Sequence, residues 1–181
     1  MPITLIFTMI TCSPDTLDEG SAAVPADVNN TKYNYSESES ELARLINDYR
    51  ISVGLNELEL NDYVSFKAEE HNLYMIQNND VSHAGFKERS DDIIKVLGAK
   101  KVNENIAYNF DTPESALRAW SESASHKANL EGDFTQYGIS IRVNPANGKK
   151  YYTVIFIKIW SKTRKNYLLK ILKHGTKKED D

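Results

Sequence analysis

Three residues of the chain have side chains that could act together, and each stands near a predicted end of a helix or strand. They are His83 in VSHAGF, Glu104 in NENIAY and His126 in SASHKANL. Two neutral imidazoles and a carboxylate are a ligand set suited to zinc or another divalent cation, with water completing the coordination sphere. Because the ends of elements can place side chains around one cleft, the sequence predicts a metal site with these three residues as ligands.

Two histidines also have a purely structural explanation. His126 would lie near the C-terminal end of a predicted helix, where the dipole favours a histidine that bonds a free carbonyl. His71 lies on the apolar stripe of another predicted helix, so we expect a core histidine that is hydrogen-bonded to the backbone. The residue types alone leave both interpretations of His126 open.

The elements that must position these residues begin with two amphipathic helices. The first is predicted to start at a capping box of Ser38 and Glu41 and to end at Gly54. The second starts at Asn61 as its N-cap. Its inward stripe consists of Val64, Ala68, His71 and Met75. A break at SHAGF follows, and then a short amphipathic segment over residues 92–97.

The remaining elements are strands and one more helix. ENIAYNF is interpreted as a short strand, and Thr112 followed by proline starts a third long helix that carries Trp120. YGISIRV and YYTVIFIKIW are predicted strands joined at Asn147 and Gly148, which indicates an antiparallel hairpin. The pattern predicts an α+β fold, with helices layered on a small antiparallel sheet, in one domain of residues 38–160.

Composition limits the classes of partner. With 181 residues and 40% apolar content, the chain is long enough for one well-packed core. A net charge of -4 argues against a nucleic-acid partner, because phosphate binding requires a basic face. Residues 13–37 form an acidic segment that is interpreted as a flexible tether. The basic tail of residues 161–181 predicts either a short amphipathic helix suited to an anionic membrane or a solvated appendage.

The single cysteine, Cys12, cannot form an internal disulfide. It follows ITLIFTMIT, an apolar run with the length of a signal-peptide hydrophobic region and too short to span a bilayer. No Lys or Arg precedes this run, and its last residues are a loose version of a lipobox. Residues 1–12 therefore resemble the export segment of a bacterial lipoprotein, and an incidental cysteine is the alternative. We expect export to the cell envelope or surface, or else secretion.

Six short motifs occur in order along residues 42–159: LINDYR, A-x-x-H-x-x-x-M, S-H-x-G-F, E-N-I-A, W-x-x-S-x-x-H and F-x-x-Y-G-I. The ordered set resembles the CAP superfamily of cysteine-rich secretory proteins, antigen 5 and plant pathogenesis-related proteins, also called the SCP domain, in its bacterial branch. The fold that this resemblance implies is an α-β-α sandwich, which agrees with the predicted helices and hairpin.

The resemblance also implies a cleft that holds two histidines and two acids in many eukaryotic members. His83, Glu104 and His126 match three of those positions, and the fourth is Ser123 here, as in the bacterial branch. The glycine that usually precedes the Glu-Asn pair is Asn103. Family members have been linked to lipid or sterol binding and to secreted interaction roles, so the resemblance implies a ligand-binding cleft.

Two classes of function follow from these residues. The first is an exported, lipid-anchored module that binds a small apolar ligand, a divalent metal or a protein partner. The second is a metal-dependent, peptidase-like hydrolase, but the chain has no H-E-x-x-H, and Glu104 as a ligand leaves no second acid as general base. Serine catalysis lacks an aspartate placed to orient either histidine. Binding rather than catalysis is therefore the expected function.

Cys12 is predicted to be the first residue of the mature protein and to carry the lipid. Intact-mass measurement after membrane extraction should show loss of residues 1–11 and an added acyl mass, because the export segment is removed ahead of the lipidated cysteine. A mature chain that retains those residues, or that lacks acyl mass on Cys12, would contradict the prediction.

Overall fold

The computed structural model describes residues 32–160. The helices in this range are α1 (Glu37–Ser52), α2 (Asp62–Asn78), α3 (Phe86–Leu97), α4 (Pro113–Glu122) and α5 (Ala124–Leu130). The strands are β1 (Glu59–Leu60), β2 (Lys101–Tyr108), β3 (Gln136–Val143) and β4 (Lys150–Lys158). Cys12, the tether up to residue 31 and the tail of residues 161–181 lie outside the described residues.

The sheet lies between two layers of helices, with its strands in the order β1-β3-β4-β2. On one face, residues of α1, α4 and α5 pack against Tyr152, Val154 and Phe156 of β4. On the other face, residues of α2 and α3 pack against Ile155 and Ile157. The predicted α-β-α sandwich is confirmed. Because β4 is covered on both faces, its sequence is a continuous apolar run rather than an alternation.

The sheet differs from the predicted antiparallel sheet in one strand. β2 and β3 both pair with β4 in antiparallel fashion, and the predicted hairpin is present. β1, however, pairs in parallel with β3, with Glu59 opposite Gln136 and Leu60 opposite Tyr137. A strand of two residues is too short for alternation to reveal it. The sheet is therefore mixed.

The first helix begins earlier than the sequence predicted. Its capping box is formed by Ser36 and Glu39 instead of Ser38 and Glu41. The Ser36 hydroxyl accepts from the Glu39 N–H at 3.2 Å, and the Glu39 carboxylate accepts from the Ser36 N–H at 2.7 Å. The SESESE run offers overlapping boxes, and the one that forms has its glutamate buried. Packing thus begins ahead of residue 38, and Tyr33 is already buried.

The other helix boundaries show two agreements and two differences. Asn61 caps α2 and Thr112 caps α4, as predicted. α3 begins at Phe86, six residues ahead of the predicted segment. The third long helix is two helices, because Ser123 adopts an extended conformation (φ -95°, ψ 121°) between α4 and α5. None of the helices within residues 32–160 is long and apolar enough to cross a membrane.

Side chains from α1 and α2 cover the edge of β3 beyond its short pairing with β1. The Ser65 hydroxyl accepts from the Ile139 N–H at 3.0 Å, and the Glu39 carboxylate accepts from the Ile141 N–H at 2.9 Å. Both backbone donors would otherwise face an unpaired strand edge. These bonds attach α2 and the start of α1 to the edge of β3.

Gly138→Ala should destabilise the fold strongly. A Cβ at Gly138 would lie 2.2 Å from the carbonyl carbon of Val64 and 2.3 Å from the nitrogen of Ser65, so α2 would have to move away from β3. We expect a loss of about 3 kcal/mol or more in the free energy of unfolding, measured by urea denaturation.

Gly148→Ala is the matched control. A Cβ there meets no atom within 4 Å, and only the positive φ of 71° adds strain, at about 1–2 kcal/mol. Equal losses in the two variants would show that the contact between α2 and β3 does not limit stability.

Candidate functional site

His83 lies in the turn between α2 and α3. α2 ends at Asn79 in the left-handed conformation (φ 50°), and Gly85 (φ 67°) precedes α3. Asn and Gly tolerate positive φ better than other residues, so they allow this compact turn. The Phe86 N–H donates to the His83 carbonyl at 3.1 Å. The His83 side chain is 49% exposed, which leaves it accessible to a ligand.

Glu104 lies on β2 with its side chain only 1% exposed. Its Oε1 accepts from Nδ1 of His83 at 2.8 Å. Its Oε2 accepts from Nε of Arg89 at 3.0 Å and from Nη2 of Arg89 at 2.7 Å. Arg89 also donates from Nη1 to the Ala84 carbonyl at 3.1 Å. The carboxylate is therefore held by a bidentate guanidinium and an imidazole.

Arg89 is the site residue that sequence reasoning missed. It lies in the first half of α3, a helix that the sequence predicted only over its C-terminal half. A buried carboxylate needs a partner of opposite charge, and this requirement could have indicated a nearby Arg or Lys. The sequence pattern predicted Glu104 as a ligand of a metal ion, so no arginine was expected as its partner.

The charge on Glu104 is stabilised in place. Burial on its own would raise the pKa of Glu104, but the hydrogen bond from His83 and the positive charge of Arg89 outweigh it and lower the pKa below its usual value. Glu104 is therefore an anion at neutral pH. Because Nδ1 of His83 faces a carboxylate oxygen, that nitrogen carries the proton and Nε2 is left as the basic atom.

His126 lies in the first turn of α5 rather than at the end of a long helix. The alternative interpretation of His126 as a C-terminal cap is therefore wrong, because the chain breaks at Ser123 before His126 is reached. Nδ1 of His126 lies 2.8 Å from the Ser123 hydroxyl. Burial lowers the pKa of His126, and the charge of His83 acts in the same direction.

A set of asparagine side chains attaches α5 to β2. Asn105 donates to the His126 carbonyl at 3.0 Å. Asn129 donates to the Glu104 carbonyl at 3.1 Å and to the Asn105 side chain at 2.8 Å, and it accepts from Asn103 at 2.7 Å. Asn103, at the position where the resemblance expects glycine, thus lies in a regular strand and supports the same attachment. These bonds attach the backbone of His126 to Asn105, the residue after Glu104 on β2.

The remaining sequence-predicted residues have structural roles. Trp120 is buried and donates from its indole nitrogen to the Ile106 carbonyl at 2.8 Å. His71 is buried on α2, and its Nε2 lies 2.9 Å from the Ser82 carbonyl, as expected for a core histidine bonded to backbone. Its ring also lies 3.7 Å from Glu104 Oε1, beneath the cleft.

The predicted metal ligands do not form a three-ligand set in the structure. In the described part of the chain, no group of three or more His, Cys, Asp or Glu side chains is arranged to hold a metal ion. The hydrogen bonds explain this, since Arg89 occupies the carboxylate oxygens of Glu104. The metal site of His83, Glu104 and His126 stays a prediction.

Arg89→Met should cost roughly 3–5 kcal/mol of stability at pH 7, because it removes the main partner of a buried charge. The cost should shrink as the pH is lowered toward 5, since without Arg89 the pKa of Glu104 rises and protonation removes that charge. Urea denaturation at both pH values measures the effect. Adding Glu104→Gln should recover part of the loss.

The matched control is Lys87→Met on the same helix. Lys87 pairs with Asp91 on the exposed surface, so its replacement should leave the urea midpoint nearly unchanged. Similar losses for Arg89→Met and Lys87→Met would mean that the pair of Arg89 with Glu104 contributes nothing special to the fold.

Comparison with known proteins shows which family the chain belongs to. Residues 43–156 match the sequence profile of CAP, the cysteine-rich secretory protein family. The membrane protein YlbC of Bacillus subtilis (strain 168) is 32% identical over 147 residues, which cover 78% of this chain and 41% of YlbC. The chain thus matches less than half the length of this relative.

Solved structures share the fold. An outer surface protein from Borrelia burgdorferi has a TM-score of 0.63 and 22% identity, covering 72% of this chain and 98% of that one. An extracellular protein with an SCP domain from Bacillus anthracis has a TM-score of 0.60 and 26% identity, covering 67% of this chain and 40% of that one. With most of its residues matched by the family profile and with the α-β-α sandwich in place, the chain belongs to the CAP, or cysteine-rich secretory protein, family.

Proposed function

We propose that this CAP-family chain is an exported binding module that takes up a ligand in the cleft of His83, Ser123 and His126, and that it does not hydrolyse peptides. The state of Glu104 is the observation that supports this function. A general base must reach its substrate or a water molecule and exchange a proton with it. Glu104 is buried, has a lowered pKa and is bonded to Arg89 and His83, so it cannot serve as that base.

The imidazoles of His83 and His126 both have Nε2 available for a ligand. His83 uses Nδ1 for Glu104, and His126 uses Nδ1 for Ser123, so both direct Nε2 away from those contacts. His83 is exposed and His126 is partly exposed. Such groups can bind a polar head of a ligand by hydrogen bonds or bind a metal ion.

Apolar side chains near the turn of His83 supply a surface for the rest of a ligand. Val81, two residues ahead of His83, is 43% exposed. Tyr74 is 41% exposed, and its ring stacks on that of His71 with centroids 6.1 Å apart. Ligand sites commonly combine apolar walls with a few polar groups that set orientation. We therefore propose a small ligand with an apolar body, or an apolar segment of a protein partner.

A divalent cation is the second kind of ligand that this cleft would take. Glu104 is not suited to bind the metal directly, because Arg89 donates to both of its carboxylate oxygens. The imidazoles of His83 and His126 are suited to bind it. A histidine whose Nδ1–H is bonded to a carboxylate presents a basic Nε2, an arrangement typical of zinc ligands. We propose His83 and His126 as the metal-binding residues, with Glu104 orienting His83. Bound zinc would supply a Lewis acid.

The charge balance predicts that the cation binds weakly. The positive charge of Arg89 offsets the negative charge of Glu104. Ser123 adds no charge at a position where many family members have an acid. Two neutral imidazoles therefore provide the attraction, and water completes the coordination.

A metal-dependent, peptidase-like hydrolase is the second candidate function. The contact between Glu104 and His83 favours it, because a carboxylate that orients an imidazole is a general-base arrangement. The hydroxyl of Ser123, however, is bonded to His126. The oriented imidazole and this hydroxyl thus belong to different pairs, which supports binding over catalysis.

The proposed location is the outside of the cell, held to the membrane by a lipid on Cys12. The similarity to an outer surface protein and to an extracellular protein supports export. The basic tail of residues 161–181 would add attraction to an anionic membrane face if it forms the expected amphipathic helix.

Zinc should bind weakly and reversibly, and binding should be lost in His83→Ala and in His126→Ala. Titration calorimetry at pH 7 and pH 5 tests this, with a peptidase assay on the same samples. Affinity should fall at the lower pH because imidazoles, with a reference pKa of about 6.5, must be neutral to bind a metal. Peptide cleavage should stay at background.

His174→Ala is the matched control, since it removes a histidine from the tail and should leave zinc affinity unchanged. Equal zinc affinity in wild type and both cleft variants would dismiss the metal site. Metal-dependent cleavage that disappears in His83→Ala and His126→Ala would instead establish the hydrolase.

A further inference from the structure

His71 is buried beneath the cleft with only one of its ring nitrogens satisfied. Its side chain is fully buried, and Nε2 lies 2.9 Å from the Ser82 carbonyl. Nδ1 is also buried, and it has no hydrogen-bond partner among residues 32–160. A core histidine that is only half satisfied calls for an explanation, because buried polar atoms are nearly always paired.

The contacts of the ring determine where its proton lies. A carbonyl oxygen only accepts hydrogen bonds, so Nε2 of His71 carries the hydrogen and donates it to Ser82. Nδ1 then holds a lone pair that faces no donor in the described part of the chain. Burial lowers the pKa of His71, the nearby charge of Arg89 acts in the same direction, and Glu104 opposes both. The ring is thus a neutral donor.

This arrangement costs stability that an apolar side chain would not cost. A buried polar atom without a partner loses its hydration and gains nothing in return. The neighbours of His71 on the inward stripe of α2 are Ala68 and Met75, both fully buried. An apolar side chain would pack among them. The presence of a histidine at this position therefore has to be explained by the contacts of its Nε2.

Nε2 lies between the two residues that make up or adjoin the contact that orients His83, and it is hydrogen-bonded to one of them, Ser82. The Ser82 carbonyl belongs to the peptide group that leads directly into His83. On the other side, Nε2 lies 3.7 Å from Oε1 of Glu104, the same oxygen that accepts from Nδ1 of His83. The ring of His71 thus lies behind the backbone that carries His83 and beside the carboxylate that selects its tautomer.

From these contacts we propose that His71 is a positioning residue, which keeps the His83 imidazole in the orientation and tautomer that present Nε2 to the cleft. This role deepens the binding function proposed above and depends on it for its purpose, although the geometry of His83 can be measured without any ligand. His71 does not touch the ligand. It acts through its hydrogen bond to the Ser82 carbonyl, which immediately precedes His83.

Two substitutions separate positioning from packing. His71→Gln keeps an amide N–H near the place of Nε2, whereas His71→Met has a similar reach and no donor. Long-range ¹H–¹⁵N correlation spectra of the imidazoles, recorded on the full chain without metal, report the tautomer of His83. Wild type and His71→Gln should show the Nδ1–H tautomer, and His71→Met should show a mixture.

Zinc affinity provides the functional readout. His71→Met should lose about tenfold in affinity, the usual effect of removing a partner that orients a metal ligand, and His71→Gln should stay near wild type. His71→Met should nevertheless melt cooperatively and near the wild-type temperature, because removal of an unsatisfied buried nitrogen offsets the lost hydrogen bond to the Ser82 carbonyl.

Two results would overturn the proposal. An unchanged His83 tautomer in His71→Met would show that the ring does not position His83, whatever the zinc titration gives. A loss of cooperative melting in His71→Met, with His71→Gln equally affected, would show that His71 is needed for packing alone. If wild type binds no zinc, the proposed metal site fails, and the tautomer comparison still decides the role of His71.

Discussion

A carboxylate buried within the fold has to be neutralised where it stands, and the cleft of this protein follows from that constraint. Glu104 loses its hydration on β2, which would cost several kcal/mol for an unpaired ion. Arg89 supplies the opposite charge from α3, and it also donates to the Ala84 carbonyl in the turn before that helix. His83 lies in the same turn and donates to the same carboxylate. One ion pair thereby fixes the turn and orients the exposed imidazole.

The position of α5, which carries His126, depends on how the edge of β2 is covered. Carbonyl groups on this strand accept hydrogen bonds from Asn129 of α5 and from the indole of Trp120 of α4. The edge therefore does not present free acceptors at these places, which protects it from pairing with another chain. The break at Ser123 lets α5 turn onto the strand, and the His126 carbonyl accepts a hydrogen bond from Asn105 as a result.

We propose recognition rather than acid-base catalysis for these residues, on the chemistry of the groups present. Its one buried acid is committed to an ion pair, and Ser123 is neutral at a position where many members of the family have an acid. Since a shared fold does not determine activity, the function has to be inferred from these groups. What they offer to a ligand is two imidazoles, a hydroxyl and nearby apolar side chains.

Local patterns in the sequence determined most of the framework. The N-caps Asn61 and Thr112, the buried stripe of α2 and the hairpin depend on residues close together along the chain, and these periodicities and turn residues are readable without a structure. Motif order also predicted His83 and His126 as candidate site residues. Only the tertiary structure decided that Arg89 pairs with Glu104, that the chain breaks at Ser123 and that β1 joins the sheet in parallel. The reason is physical: a buried charge takes the partner that is nearest in space, and spatial proximity is set by packing rather than by position in the sequence.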